Sequence, residues 1–414
     1  MASIPLGLTP PVEDGTSVDT TRCIRADYAD PIYAELATEA QKKIEADPEL
    51  SKFNFKQGMT FACDGMLCRF FNIWKKGMKN VKSRQEPSSV VEMSSAEQVF
   101  RRIHRPIAEP VPEIELGREH HWNIGYCNLE DAFIDVTECV RIYYERCLAA
   151  PSISFRCGVA VSPVGVTLED GSTINDRHHL VAAGAWSNIL VYLEGLTYSS
   201  AIEIAWLKVS DEETQKWKNM SITTNLSSGF NILPPYSGEI KCLRRSAGYC
   251  NTIVIPQPED ASKPIERSFP RTIVTNPTDV IPEEAERALR DNLSEIMPPL
   301  AKREFDRTKL CWMSQTPSAD FIIAPHPCIE NIHVATGGSA HAWKFLPIIG
   351  DLVVDSMTGR LKHELKEKWA WGHRGSDGGN APRIDDKAKE LRDVVRSQYP
   401  LEEFEFIAVQ NKGY

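Results

Sequence analysis

The segment from Lys309 to Gly350, KLCWMSQTPSADFIIAPHPCIENIHVATGGSAHAWKFLPIIG, constrains the fold more than any other part of the 414-residue chain. Its two apolar runs, FIIAPHP and NIHVATGG, read as buried strands, and the second ends at Gly337-Gly338 with a helix expected from about Pro347 to Met357. A strand, a loop of small residues (Gly337, Gly338, Ser339, Ala340) and a helix with unpaired first N–H groups make a joint that an anion or a flat ligand can approach closely. Such joints also occur in α/β proteins with no ligand there, so the segment speaks to fold class before function.

The flanking sequence is consistent with that class. Asp30 and Pro31 open a helix running to Glu49, and Ser94 to Arg105 reads as a capped helix followed by the proline-rich connection IAEPVPEIE. Asn54 to Phe70 alternates as strands do, Leu129 to Ala150 reads as one long amphipathic helix, and Ile153–Val166 and His179–Ala183 read as strands around the turn Glu169-Asp170-Gly171. From Thr197 to Val254 strand-like runs alternate with turns, which predicts an antiparallel region. A proline-rich loop (Pro256 to Pro282) and a helix (Pro282 to Glu304) follow, and the last fifty residues read as charged and irregular.

With 42% hydrophobic and 25% charged residues the chain is globular, long enough for two or three domains. Its 57 acidic residues outnumber 47 basic ones, a formal charge of -10 that argues against nucleic acid or an anionic membrane as partner. No apolar run approaches the roughly 18 residues that span a bilayer, and the start MASIPLGLTPPVEDG lacks a leader pattern, so a soluble intracellular protein is expected. Eleven scattered cysteines without zinc-ligand spacing read as mostly reduced thiols, and His120, His121, His178, His179 and His341 form no metal pattern. The sequons at Asn219, Asn225 and Asn292 read as chance.

Five blocks occur in a fixed order: PPVEDGTSVDTTRCIRADYADPIYAELA (Pro10 to Ala37), GYCN (Gly125 to Asn128), LVAAGAWS (Leu180 to Ser187), GEIKCLRRSAGYCNT (Gly238 to Thr252) and the run from Leu310 to Gly350. Together they resemble the FAD-dependent amine oxidases that include monomeric sarcosine oxidase, fungal fructosyl amino acid oxidases (amadoriases) and saccharopine or pipecolate oxidases. The resemblance implies an α/β fold in which a Rossmann-like FAD-binding domain (residues 1–60, 128–190 and 305–365) is interleaved with a mostly antiparallel α+β substrate domain (61–127 and 191–304), with 366–414 as a C-terminal extension. It implies a monomer that oxidises the C–N bond of a secondary amine, an N-substituted amino acid or an alkaloid precursor, to an imine, with oxygen as acceptor and hydrogen peroxide as product. Without an SKL-type C-terminus, the cytosol is the expected location.

The same resemblance assigns residues. Cys311 stands where the family bonds FAD through a thioether to the flavin 8α carbon; the alternative is a small buried hydrophobe. Lys241 matches a catalytic lysine over the flavin that assists oxygen reduction; the alternative is an edge-strand lysine facing water. Arg25 and Lys344 match a clamp for the substrate carboxylate, and Arg245 occupies a substrate-shaping position where the family carries other residues. Arg22, Ala183, Gly184, Trp186, Gly338, Ser339 and Lys344 are implied to hold the cofactor, and Trp312, Trp343 and Tyr126 either wall the site or belong to the core.

One departure is large. The family pattern opens with a strand, a GxGxxG turn and a helix, and no such unit precedes PPVEDG; Gly7 and Gly15 lie in proline-rich context. Three readings stay open: a truncated form of an active enzyme, a flavin-free relative acting as a non-catalytic binding protein, and a flavoprotein that binds through the remaining contacts.

Overall fold

A computed structural model describes residues 4–6, 9–13, 15–104, 122–155, 157, 159–161, 166–167, 173–174, 177–193, 195–257, 260–373, 375, 380–385 and 387–395. Its centre is a ten-stranded sheet that combines long-range and local pairings. The spine is the strand Tyr198–Lys208, paired antiparallel with Glu239–Arg244 on one side and with Arg307–Gln315 on the other. Beyond Glu239–Arg244 the sheet continues through Phe230–Ile232, Ile222–Asn225, Met59–Cys63, Ile124–Asn128 and Val90–Met93. Two of its pairings are parallel, Ile222–Asn225 with Met59–Cys63 and Tyr249–Cys250 with Lys389–Glu390.

One face of this sheet is dry core. Ala205, Leu207, Phe230, Ile232, Ile240 and Cys242 pack against Ala285, Leu289, Leu293 and Ile296 of the helix Glu283–Ile296. That helix has no side-chain cap, but Glu283, Glu284 and Glu286 in its first turn suit the positive end of its dipole. A second core lies under the helix Pro31–Ala46, where Tyr33, Ala34 and Ala37 meet Phe345, Ile348 and Val353 of the helix Leu346–Met357 that follows Phe345, and the indole of Trp369. Asp30 caps the first of these helices by accepting the Ile32 N–H at 2.9 Å, as the sequence leads one to expect. A three-stranded sheet, His179–Val181 parallel to Ile332–Thr336 and the latter antiparallel to Ile322–Pro325, carries the glycine loop at its end.

Three local expectations change. The helix expected from Leu129 starts only at Val136, because Ala132–Ile134 is drawn into a strand between Arg22–Ile24 and Asn54–Lys56; Asp135 then caps the helix through Glu138 N–H. The region expected as a proline-rich loop begins as a hairpin, Thr252–Gln257 with Asp260–Ser268, where Pro256 faces Pro264. An isolated two-stranded ribbon tolerates both prolines because each strand has an edge that needs no donor. The last fifty residues, read as irregular, include the helix His363–Lys368, a strand that joins the large sheet and the buried Trp369. The turn at Glu169 to Gly171, His120, His121 and the stretch IAEPVPEIE lie outside the described residues. No described helix is long and apolar enough to cross a membrane.

Candidate active site

Side-chain alternation builds the site. Ile202 lies opposite Cys311, Ile204 opposite Leu243 and Trp206 opposite Lys241, so Ile202, Ile204, Lys241, Leu243, Cys311 and Met313 share the face opposite the dry core. These residues line a cavity of about 700 Å³, closed from the other side by the loop and helix from Gly338 to Met357. Six cationic side chains line it (Arg22, Arg25, Lys241, Arg245, Lys344, Arg383), and among the described lining residues Asp19 is the single carboxylate.

Lys241 sits on an inner strand at 3% exposure, which overturns the alternative of an edge lysine facing water. Its Nζ pairs with Asp19 at 2.5 Å and donates to the Thr21 carbonyl. Burial lowers the affinity of Lys241 for its proton, with Asp19 opposing; burial would raise Asp19, yet Lys241 and Arg22 hold its carboxyl below the usual range. Cys311 is buried, and burial pushes its thiol up against the opposing pull of Lys309 and Arg22.

Arg25 and Lys344 meet, as expected, at one place. Both lie against the ring of Tyr28, the Arg25 guanidinium 4.7 Å and the Lys344 Nζ 5.1 Å from its centroid. Lys344 donates to the Tyr28 hydroxyl at 2.9 Å, and Tyr28 is 3.0 Å from His341 Nδ1, whose Nε2 lies 2.7 Å from the Ala319 carbonyl. A carbonyl can only accept, so Nε2 carries the imidazole proton and Tyr28 donates to Nδ1. Burial, reinforced by Lys344, holds His341 well below its ordinary value, and this agrees with a neutral ring. Behind Arg25 a closed network fixes the backbone: Arg25 donates to the Asp27 carbonyl, and the Asp27 carboxylate accepts from Tyr126 and Asn128 at 2.9 and 3.1 Å. Asn128 also donates to Asp131, whose carboxyl is raised well above the ordinary range by burial and by Asp27. Lys344 itself is pushed well below an ordinary lysine by burial and then by Arg25.

Arg245 joins this cluster. Burial, Arg25 and Arg383 together depress it to about 9. Arg383 is a residue that sequence reasoning missed: its segment reads as irregular, and only the folded chain brings it to the cavity, where Ile384 N–H bonds to the Arg245 carbonyl at 3.1 Å. Its Nη2 donates to Gln315 Oε1 and the Ser339 carbonyl at 2.7 and 3.1 Å, while its Nε and Nη1 are shut off from solvent without a partner. Burial lowers it to about 10, and among the described residues no carboxylate pairs with Arg245 or Arg383. Asp19 and Tyr28 also escaped notice, because their roles depend on partners more than 200 residues away.

Not every expected residue reaches the cavity. Arg22, Gly184, Gly338 and Ser339 line it, whereas Ala183 and Trp186 pack with Ile189 and Ile255 beside it. Of the three aromatic candidates Trp343 lines the cavity, but Trp312 is core, its indole donating to the Arg271 carbonyl, and Tyr126 is held behind Arg25. The loop is conformationally demanding: Gly337, Ser339 and Ala340 all have positive φ (73°, 44° and 61°), and Ser339 is pinned by its N–H to the Ser314 carbonyl and its Oγ to Thr316 N–H. A Cβ on Gly337 would stand 2.7 Å from Thr316 Cγ2. Gly337→Ala is therefore expected to destabilise the protein by at least about 1–2 kcal/mol, the left-handed backbone cost, read as a lower urea midpoint.

The lining fits FAD. Gly184 has φ 53° with no atom within 4 Å of where its Cβ would stand, so a flat ring can lie on its backbone. The cavity is open where Leu180 and Val354 are 44% and 50% exposed. Arg22, Gly184, Gly338, Ser339 and Cys311 are the residues that would hold the group.

Comparison with known proteins agrees with this geometry. A profile of the family described as FAD dependent oxidoreductase matches residues 10–356. L-saccharopine oxidase of Schizosaccharomyces pombe is 28% identical over 404 residues, covering 94% of this chain and 88% of that protein. Monomeric sarcosine oxidase of Streptomyces avermitilis is 36% identical over 81 residues, 19% of this chain and 21% of that protein. A modified fructosyl peptide oxidase from Aspergillus nidulans superposes with a TM-score of 0.81 at 21% identity, covering 93% of this chain and 90% of that one. On the extent of the profile match and the length of the saccharopine oxidase alignment, the chain belongs to the FAD dependent oxidoreductase family, as an enzyme of the amine and amino acid oxidase type.

Proposed function

We propose that the protein oxidises the C–N bond of a secondary amine, an N-substituted amino acid bearing more than one carboxylate, to an imine, with oxygen as acceptor and hydrogen peroxide as product. The observation that carries this reading is the imbalance of six cations against one carboxylate around a single cavity. Arg25 and Lys344, both against Tyr28, grip one carboxylate; Arg245 and Arg383, half-buried and without a carboxylate partner among the described residues, take a second. Similarity to an L-saccharopine oxidase supports a substrate of that charge.

The cationic field has a further effect on the amine. Positive neighbours disfavour its ammonium form, so the substrate nitrogen is held neutral with its lone pair available, and no protein base is required. His341 is not free to serve as one, since Tyr28 donates to its Nδ1 and its Nε2 proton is given to Ala319. Lys241 supplies positive charge at the sheet face, where negative charge develops as oxygen is reduced. FAD, when bound, supplies the two-electron acceptor, and Cys311 is its proposed attachment point.

Two measurements test this. Acid-precipitated protein is expected to stay yellow and fluorescent, and Cys311→Ser to lose the colour on denaturation; flavin that washes out of the wild type would exclude the thioether. Peroxide release is expected to be faster, by kcat/KM, with saccharopine than with N-methylglycine by tenfold or more, the effect of about 1.4 kcal/mol. Peroxide from neither substrate, with flavin loaded, would overturn the reaction class.

A further inference from the structure

A lysine that grips a carboxylate must itself be held, because its flexible stem ends in a point charge with three donors and no built-in direction. Lys344 is held through two of the three. Its Nζ donates to the Tyr28 hydroxyl at 2.9 Å and to the His341 carbonyl at 3.2 Å. The third N–H has no protein partner among the described residues, and Lys344 lines the cavity. The His341 carbonyl belongs to the same loop as Lys344, so Tyr28 is the partner that ties the ammonium to a distant part of the chain.

Toward Lys344 the Tyr28 hydroxyl can only accept. Its single proton goes to His341 Nδ1 at 3.0 Å, since the Nε2 proton of that ring goes to the Ala319 carbonyl at 2.7 Å. Ala319 is a turn residue with φ 61° whose N–H is taken by the Thr316 carbonyl at 3.1 Å, so the chain of hydrogen bonds ends on fixed backbone. The rings are packed as well: His341 stacks on Phe321 at 4.9 Å and Tyr28 on Tyr33 at 5.6 Å. Burial pushes the Tyr28 hydroxyl up against the opposing pull of Arg25 and Arg245, which keeps the proton on its oxygen. The face of the same ring carries the Arg25 guanidinium at 4.7 Å, so one side chain touches both cations of the clamp.

We propose that Tyr28 is a positioning residue for carboxylate recognition: the directed chain from Lys344 through Tyr28 and His341 to the Ala319 carbonyl aims the one remaining Lys344 N–H into the cavity. This deepens the carboxylate clamp described under the proposed function and rests on it. The ligand group it selects is one that accepts from an ammonium beside a guanidinium, a carboxylate rather than an uncharged amide. Without the hydroxyl, Lys344 keeps its length but loses the partner that sets its direction, and each ligand that binds has to order it anew.

The test uses the flavin-loaded full chain and two ligands with no amine to oxidise, glutarate and its diamide, with affinity read by calorimetry. Tyr28→Phe keeps the ring under Arg25; it is expected to weaken glutarate about tenfold, the lower end for a hydrogen bond to a charged group, and to change the diamide by less than about twofold. Once Lys344→Met is present, Tyr28→Phe should cost nothing further, because its effect passes through Lys344. Three results overturn the positioning role and leave the clamp standing: Tyr28→Phe without effect on glutarate while Lys344→Met weakens it, a Tyr28→Phe loss that persists in the Lys344→Met background, or equal losses for glutarate and the diamide. Glutarate affinity unchanged in Lys344→Met removes the clamp and this role with it. A wild-type measurement decides even if Tyr28→Phe does not fold: nitrogen NMR of the His341 ring is expected to show the proton on Nε2 at neutral pH. A proton on Nδ1 would overturn the proposal, since Tyr28 would then have no acceptor there.

Discussion

Asp19→Ala is expected to lower the unfolding free energy by about 3–5 kcal/mol, the cost of leaving a buried charge without its partner. Lys241 is almost wholly buried, and in the variant its Nζ loses the carboxylate at 2.5 Å while keeping the Thr21 carbonyl. The double variant Asp19→Leu, Lys241→Met should recover most of the loss, because removing both charges removes the desolvation cost as well. The pH dependence follows from Asp19, whose carboxyl is lowered in the folded protein. In the unfolded chain it binds a proton more readily, so its contribution is fully present above the ordinary carboxylate range and is lost as pH falls through the lowered folded value. Chemical denaturation at neutral pH and again near pH 3 separates the two variants. A single variant as stable as the wild type, or a double variant no better than the single one, would refute the pairing.

Lys344→Met is expected to weaken binding of a carboxylate substrate by about 10- to 150-fold, the 1.5–3 kcal/mol of a charged hydrogen bond, and at the same time to stabilise the ligand-free protein. Both signs come from one fact: Lys344 is buried among cations, and its folded affinity for a proton is far below that of the unfolded chain. Between those two values the unfolded state binds more protons, so the destabilisation is full at low pH and fades as pH rises towards the unfolded value. A bound carboxylate reverses the balance by favouring the ammonium form. Affinity should therefore fall as pH rises through the lowered value, and Lys344→Arg should keep affinity to higher pH. Arg383→Ala is expected to weaken a dicarboxylate or tricarboxylate by a similar factor while sparing N-methylglycine, which has only one carboxylate to hold. Titration of the flavin spectrum with each ligand across pH checks all three; equal losses for both ligands in Arg383→Ala would remove it from the second carboxylate subsite.

Much of the local structure was legible along the chain. The helix after Asp30 begins where its cap and proline put it, and the two strands leading up to Gly337-Gly338 follow from short apolar runs bounded by turn residues. Lys241 and Arg245 were legible from the block GEIKCLRRSAGYCNT of the family resemblance, and Arg25 and Lys344 as a pair because each lies in a separate block of it. Strand assignment failed where a partner overrode local preference: Ala132–Ile134 carries helical spacing, yet two waiting edges claim it.

Other features were decided only by the tertiary structure. Helical or strand period says which residues share a face, but not which distant chain covers that face. Lys241 could have pointed to water until the neighbouring strands and Asp19 enclosed it, and Trp312 and Tyr126 could have walled the cavity until their hydrogen bonds turned them to Arg271 and Asp27. Arg383 is the clearest case. Nothing around it in sequence distinguishes it from a solvated arginine, and its partners Gln315 and Ser339 are 68 and 44 residues away. Its chemistry comes from losing water in a cavity already crowded with like charge, and burial of that kind is a property of the assembled fold rather than of any local stretch of chain.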